Sequence, residues 1–141
     1  MTILYKICLY EDRLEKHGTC PIANSISELT FTCLTSLLTQ MTTEDEIIFF
    51  CDGDDCVDNL KILCKRYSIK YKLLTFNYKS APKIHYESTT YLNLNETQEH
   101  IYICEDDYLH FDGALVKIKE FLISLSSYKH ILYSIVIHLY L

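Results

Sequence analysis

Two acidic stretches hold the residues best suited to chemistry. The run Ile101-Tyr-Ile-Cys-Glu-Asp-Asp-Tyr-Leu-His-Phe-Asp112 places Glu105, Asp106 and Asp107 directly after four apolar or aromatic residues. A short apolar run bounded by polar signals reads as a buried strand. Three adjacent carboxylates repel one another, and a hard divalent cation with oxygen ligands relieves that repulsion. The bland alternative is a solvated acidic turn, because acids also favour helix N-termini and Asp112-Gly113 opens what reads as a helix. The second stretch, Asp52-Gly-Asp-Asp55, follows the apolar run Ile47-Ile-Phe-Phe-Cys51. If both runs are parallel strands, both clusters lie at one edge of the sheet, where open α/β sheets bind ligands.

Other chemistries fit these residues less well. In an EF-hand starting at Asp52, Val57 would stand where glycine is needed and Leu63 where glutamate is needed. With 3 glycines in the chain, no phosphate-cradling glycine loop exists. Cys51 and Cys56 have no second pair of matching spacing to complete a zinc site. Cys104 near His110 suggests a cysteine hydrolase only weakly: Cys104 reads as core, and His85, His100 and His110 read as surface or loop-edge residues. Asp52-Gly-Asp54 has the spacing of an aspartate-based phosphotransferase or phosphatase with Asp52 as nucleophile, but on the second strand rather than the first. Tyr10, at the end of the first strand, could stack on a base, whereas most other tyrosines fall in strand patterns.

The elements that must position these groups alternate. Strands are expected near 2–10, 47–51, 69–76 and 101–104, and helices near 25–41, 56–67 and 113–126. Ser25 and Glu28 form a capping box, after which Ile26, Leu29, Cys33, Leu37 and Met41 recur at helical spacing. Asp54 or Asp55 is the expected N-cap of the second helix. Ser80-Ala-Pro82 reads as loop, with a short helix over Tyr86 to Asn95. Such alternation implies crossover connections and a three-layer α/β/α fold with a mainly parallel sheet. Residues 1–127 read as one domain and 128–141 as an apolar C-terminal strand or tail.

Composition narrows the classes further. The chain has 141 residues, is 49% hydrophobic and carries a net charge of −6. It is long enough for one core, and it lacks the basic face of a nucleic-acid binder. An odd count of 7 cysteines, mostly inside apolar runs, points to buried thiols in a reducing compartment. Lys6, Glu11 and Asp12 interrupt any signal peptide, and Ile131 to Leu141 is too short to span a bilayer. The expected location is cytoplasmic. The tail is read as a buried strand, with membrane association as the lesser alternative.

The stretch from Ile101 to His110, with the helix after it, resembles the DXD-type metal-binding segment of GT-A fold nucleotide-sugar glycosyltransferases. The layout over about residues 2–125 is similar to that of family-2-like transferases, and Ile47 to Asp52 resembles their second strand and its acid. The resemblance implies that Asp107 binds Mn²⁺ or Mg²⁺, with Glu105 in support, and that the ion holds the diphosphate of a nucleotide sugar, expected to be UDP-linked. It further implies Asp106 near the donor ribose, Asp52 near the base and Tyr10 beside it. The acceptor would be a glycan, lipid or protein. In an extended strand Glu105 and Asp107 face one side, whereas the resemblance pairs Asp106 with Asp107, which requires the chain to turn there. The chain departs from the family by stopping soon after the metal-motif helix, and no general base has a defensible position. Either a transferase or its donor-binding half is expected. The alternatives are a non-catalytic interaction module of the same fold and the aspartate-based phosphotransferase.

Overall fold

The computed structural model describes residues 1–9, 22–94 and 101–126. Among these residues four strands alternate with four helices: β1 (Thr2–Cys8), α1 (Ile26–Leu38), β2 (Glu46–Asp52), α2 (Val57–Tyr67), β3 (Lys70–Phe76), α3 (Ala81–Leu94), β4 (Ile101–Glu105) and α4 (Ala114–Ser126). The strands form one all-parallel sheet in the order β3-β2-β1-β4. The expected α/β architecture is therefore present. Tyr10, His100 and residues 128–141 lie outside the described residues.

β1 and β2 are central, and the period-two alternation of strand side chains sends their apolar residues to both faces. Ile3, Tyr5, Ile7, Ile47, Phe49 and Cys51 pack with Leu34, Leu37 and Leu38 of α1, with Leu60 and Cys64 of α2, and with Leu115 of α4. The other face joins Leu4, Cys8, Ile48 and Phe50 to Ile84 of α3, with Tyr91 and Leu92 packed around them. Lys6 is the one charged residue in β1, and it is only 7% exposed.

The Ser25 hydroxyl accepts the Glu28 amide at 3.1 Å, as the capping box requires. The Glu28 carboxylate reaches back one residue further, to the Asn24 amide at 2.7 Å. α1 ends at Leu38 rather than 41 because the Gln40 and Met41 amides close tighter turns onto the Leu37 and Leu38 carbonyls. α2 begins at Cys56 as N-cap without a side-chain cap bond. Asp54 contributes only its carbonyl, which accepts the Val57 amide at 3.1 Å. α3 starts at Ala81, earlier than expected. Pro82 sits in its first turn, where a missing N–H costs nothing.

Connections from β1 through α1 to β2, and through α2 to β3, move outward in one direction. The next connection, through α3, returns across β2 and β1 to place β4 on the far side of β1. The reversal leaves a seam between the C-terminal ends of β1 and β4, the position at which open α/β sheets bind ligands.

Candidate functional site

β4 ends at Glu105, and the chain turns at Asp106 and Asp107. The turn closes when the Tyr108 amide donates to the Glu105 carbonyl at 3.3 Å. The three acids therefore leave the strand alternation and take three different environments. Asp106 is buried at 3% exposure, and its Oδ2 accepts the Cys8 amide at 2.8 Å. That bond ties the tip of β4 to the tip of β1 across the seam. Glu105 is level with Lys6 in the β1–β4 register, and its Oε1 accepts from Lys6 Nζ at 2.6 Å. Asp107 is exposed on the turn.

Lys6 also meets His85 of α3, Nζ to Nδ1 at 2.9 Å. Together with Cys8, Ala81, Pro82, Glu105 and Asp106, these two residues line a cleft of about 230 Å³ at the seam. Lys6 and His85 were not singled out from the sequence. The available signal was a lysine inside an otherwise apolar strand, which must find a partner if it is buried.

Asp52 closes the end of β2, level with Cys8 in the β1–β2 register. Its Oδ1 accepts the Tyr78 and Lys79 amides at 2.7 and 3.0 Å, and its Oδ2 accepts the Ser80 amide at 2.7 Å. Asp52 thus holds the loop into α3, where Lys79 adopts a positive φ of 49°. Asp54 and Asp55 are exposed. The acidic stretches after β2 and β4 do share one edge of the sheet, but β1 lies between their strands. Two strand spacings amount to about 10 Å. One small ion cannot bridge that gap, whereas an extended ligand can.

Behind the acid turn, the chain is fastened to α1. The His110 amide donates to Ser36 Oγ at 2.9 Å, and Gln40 Nε2 donates to the His110 carbonyl at 3.2 Å. Gln40 Oε1 accepts the Leu115 amide at 3.1 Å. His110 is not the surface residue expected from its setting in the sequence. It is 6% exposed, with Nε2 3.0 Å from the Tyr102 hydroxyl and 3.8 Å from Cys104 Sγ. Burial pushes the His110 imidazole pKa down, offset in part by the Tyr108 backbone. Burial also pushes the Cys104 thiol well above its ordinary range, so the pair lacks the thiolate that a nucleophile requires. Cys104 fills the core, as expected. The six described cysteines, Cys8, Cys33, Cys51, Cys56, Cys64 and Cys104, are all buried thiols.

Among the described residues, no three His, Cys, Asp or Glu side chains gather closely enough to cage a metal ion. A hard divalent cation does not need such a cage: Mg²⁺ is commonly held by one or two carboxylates plus substrate phosphate oxygens and water. The exposed Asp107 carboxylate fits that mode, with Asp106 beside it in sequence and anchored to β1. Glu105 fits the supporting-ligand role less well, because Lys6 already neutralises it.

No protein-family profile matches the chain, and neither a curated protein nor a solved structure matches it. Among the described residues, no helix is long and apolar enough to cross a membrane.

Proposed function

We propose that this chain is the donor-binding domain of a metal-dependent glycosyltransferase, taking a nucleotide sugar across the C-terminal edge of its sheet. The observation that carries this reading is the acid turn at the β1–β4 seam, with Asp106 bonded to the Cys8 amide and Asp107 exposed beside it. That arrangement supports a site in which Asp107 receives Mn²⁺ or Mg²⁺ and phosphate oxygens complete the coordination. When bound, such an ion stabilises the negative charge that develops on a departing nucleoside diphosphate. Asp106 fixes the turn, and the Lys6-bound Glu105 helps set the charge of the cleft beside it.

The Asp52 end of the edge lies one strand beyond β1, where the resemblance puts the base. Its three amide bonds make Asp52 an anchor of the α3 entry loop first. A base would meet that loop and whichever part of the carboxylate accepts a further bond. The same three bonds count against an aspartate-based phosphotransferase, whose nucleophile must present an oxygen to phosphorus. A glycan, lipid or protein acceptor would take the transferred sugar, and no described residue is assigned as its base.

The direct test is a thermal-shift screen of nucleoside diphosphates and nucleotide sugars, with and without Mn²⁺. A ligand that binds only the native state raises its apparent stability. Stabilisation by a uridine diphosphate compound that requires Mn²⁺ supports the reading. No shift with any nucleotide, in the presence of Mn²⁺, leaves the fold as a non-catalytic interaction module.

A further inference from the structure

The net charge of −6 conceals a segregation of charge along the chain. Between Asn59 and Tyr86 there is no Asp or Glu, so all 19 acidic residues lie outside that segment, whereas seven of the 13 Lys and Arg lie within it. α2 carries Lys61, Lys65 and Arg66, and β3 carries Lys70 and Lys72. Lys79 follows in the loop and Lys83 in the first turns of α3. All seven are exposed. Composition did not reveal this basic face, because the acids elsewhere outnumber it. Three acids border it. Asp58 pairs with Lys61 at 3.2 Å, Glu46 stands level with Lys70 in the β2–β3 register, and Glu87 accepts from the Tyr78 hydroxyl at 2.9 Å.

The basic face is centred on β3, an edge of the sheet. Among the described residues β3 pairs only with β2, so the N–H and C=O groups along its outer side are open to an added strand. Lysine on an edge strand is also a common guard against such pairing. A guard needs only the strand itself, whereas here the positive charge continues onto α2 and past the end of β3. That pattern repels a second copy of the same edge and attracts an extended acidic chain. Strand alternation puts Lys70 and Lys72 on one face of β3 and Tyr71, 40% exposed, on the other. A paired strand with Asp or Glu at alternate positions would set its acids beside the two lysines, where opposite charges stabilise. Nucleic acid fits less well, because single strands need free aromatic faces for their bases. Tyr78 is already stacked with Phe76 at 5.5 Å, with Lys83 Nζ 5.4 Å from its ring centre, and Tyr71 packs edge-to-face with Phe49 at 6.5 Å. We propose that the β3 edge docks an extended acidic segment of a partner protein, which adds to the sheet as a strand. β3 is the edge opposite β4, so the inference stands apart from the nucleotide-sugar reading.

Fluorescence anisotropy at low ionic strength tests this with a labelled peptide in which Glu alternates with Thr and Val. Its comparators are the same peptide with Lys in place of Glu, the same peptide methylated at every backbone nitrogen, and an oligothymidylate. Each is titrated with the native chain, with the double variant Lys70→Gln, Lys72→Gln, and with Lys117→Gln on α4. All three lysines are exposed, so the variants keep the fold, which matching thermal midpoints confirm. The acidic peptide is expected to bind the native chain and to slow amide exchange within residues 70–76. The double variant should weaken it by about five- to tenfold, and Lys117→Gln should leave it unchanged. The Lys peptide and the methylated peptide should not bind, the first for its charge and the second because it cannot donate to the open edge. Absence of binding by the acidic peptide, or equal binding to the double variant, overturns the proposal. Equal loss in Lys117→Gln, or undiminished binding of the methylated peptide, shows unspecific charge attraction and overturns strand addition. Tighter binding of the oligothymidylate than of the acidic peptide assigns the face to nucleic acid and overturns it as well.

Discussion

Asp106 Oδ2 accepts the Cys8 amide at 2.8 Å, and this bond joins two strands exactly where their direction of succession reverses. The acid is thereby used to build the site rather than to float above it. A buried amide left without its acceptor costs about 1–3 kcal/mol. Asp106→Ala is expected to lose about that much stability, whereas Asp106→Asn loses less because its side-chain carbonyl can still accept. Urea denaturation of the two variants measures the difference. Equal stability of Asp106→Ala and the native chain would show that the bond does not hold the seam.

Asp52 is the second anchor. Its carboxylate accepts three consecutive amides, from Tyr78, Lys79 and Ser80, and hydrogen bonds to a charged acceptor are each stronger than neutral ones. Asp52→Ala is expected to destabilise the fold by about 2–4 kcal/mol and to raise amide exchange at residues 78–84 before the rest of the sheet. Hydrogen exchange that rises uniformly, or not at all, would place the anchor of this loop elsewhere.

Much of the frame was legible in the sequence because the apolar runs of β1, β2 and β4 are bounded by polar residues and the helices between them carry period-3.6 faces. The site was legible only in part. Glu105, Asp106 and Asp107 stood out as a cluster, with strand alternation putting Glu105 and Asp107 on one side and the resemblance pairing Asp106 with Asp107. The turn at Asp106 and Asp107 ends that alternation and puts the three acids in three separate environments. Lys6 and His85 are 79 positions apart, so no local pattern could join them. His110 looked like a loop-edge residue, but bonds to Ser36 of α1 and to Gln40 just beyond its end draw it into the core. The role of Asp52 depended on a loop whose shape no motif encodes.

Stability should fall at acid pH through Asp45, which is 1% exposed. Burial alone would raise its pKa. The bonds from Lys119 Nζ at 2.6 Å, from the Thr42 amide at 2.8 Å and hydroxyl at 3.0 Å, and from the Met1 ammonium at 3.2 Å outweigh that and hold the carboxyl below its ordinary range. A carboxyl with a depressed folded pKa contributes stability that is present above its unfolded pKa of about 3.9 and is lost as pH falls through the folded value. Denaturation midpoints measured from pH 6 down to pH 2 should therefore decline below about pH 4. Asp45→Asn should be less stable at pH 6 and show a shallower decline. A parallel decline in both proteins would assign the acid sensitivity to other carboxylates.

The thiols give an independent check on the reading of Cys104 as a core residue. Burial raises Cys64 to about 11 and pushes Cys104 well above its ordinary range, and the thiolate is the reactive form. Iodoacetamide at pH 8 should leave both unmodified in the native chain and label both once urea unfolds it, as read by mass spectrometry of peptides. Rapid native labelling of Cys104 would reopen its pairing with His110 as a reactive centre.

On the proposed reading, the acid turn binds a nucleoside diphosphate through a divalent cation held by Asp107. Calorimetric titration of UDP into the native chain and into Asp107→Asn, each with and without Mn²⁺, tests it most directly. Asn keeps the shape of the side chain and removes its charge, and the exposed position spares the fold. Mn²⁺-dependent binding to the native chain is expected, with a loss of at least about tenfold, or 1.4 kcal/mol, in the variant. Unchanged affinity in a folded Asp107→Asn protein would contradict it and leave the triplet as a solvated turn.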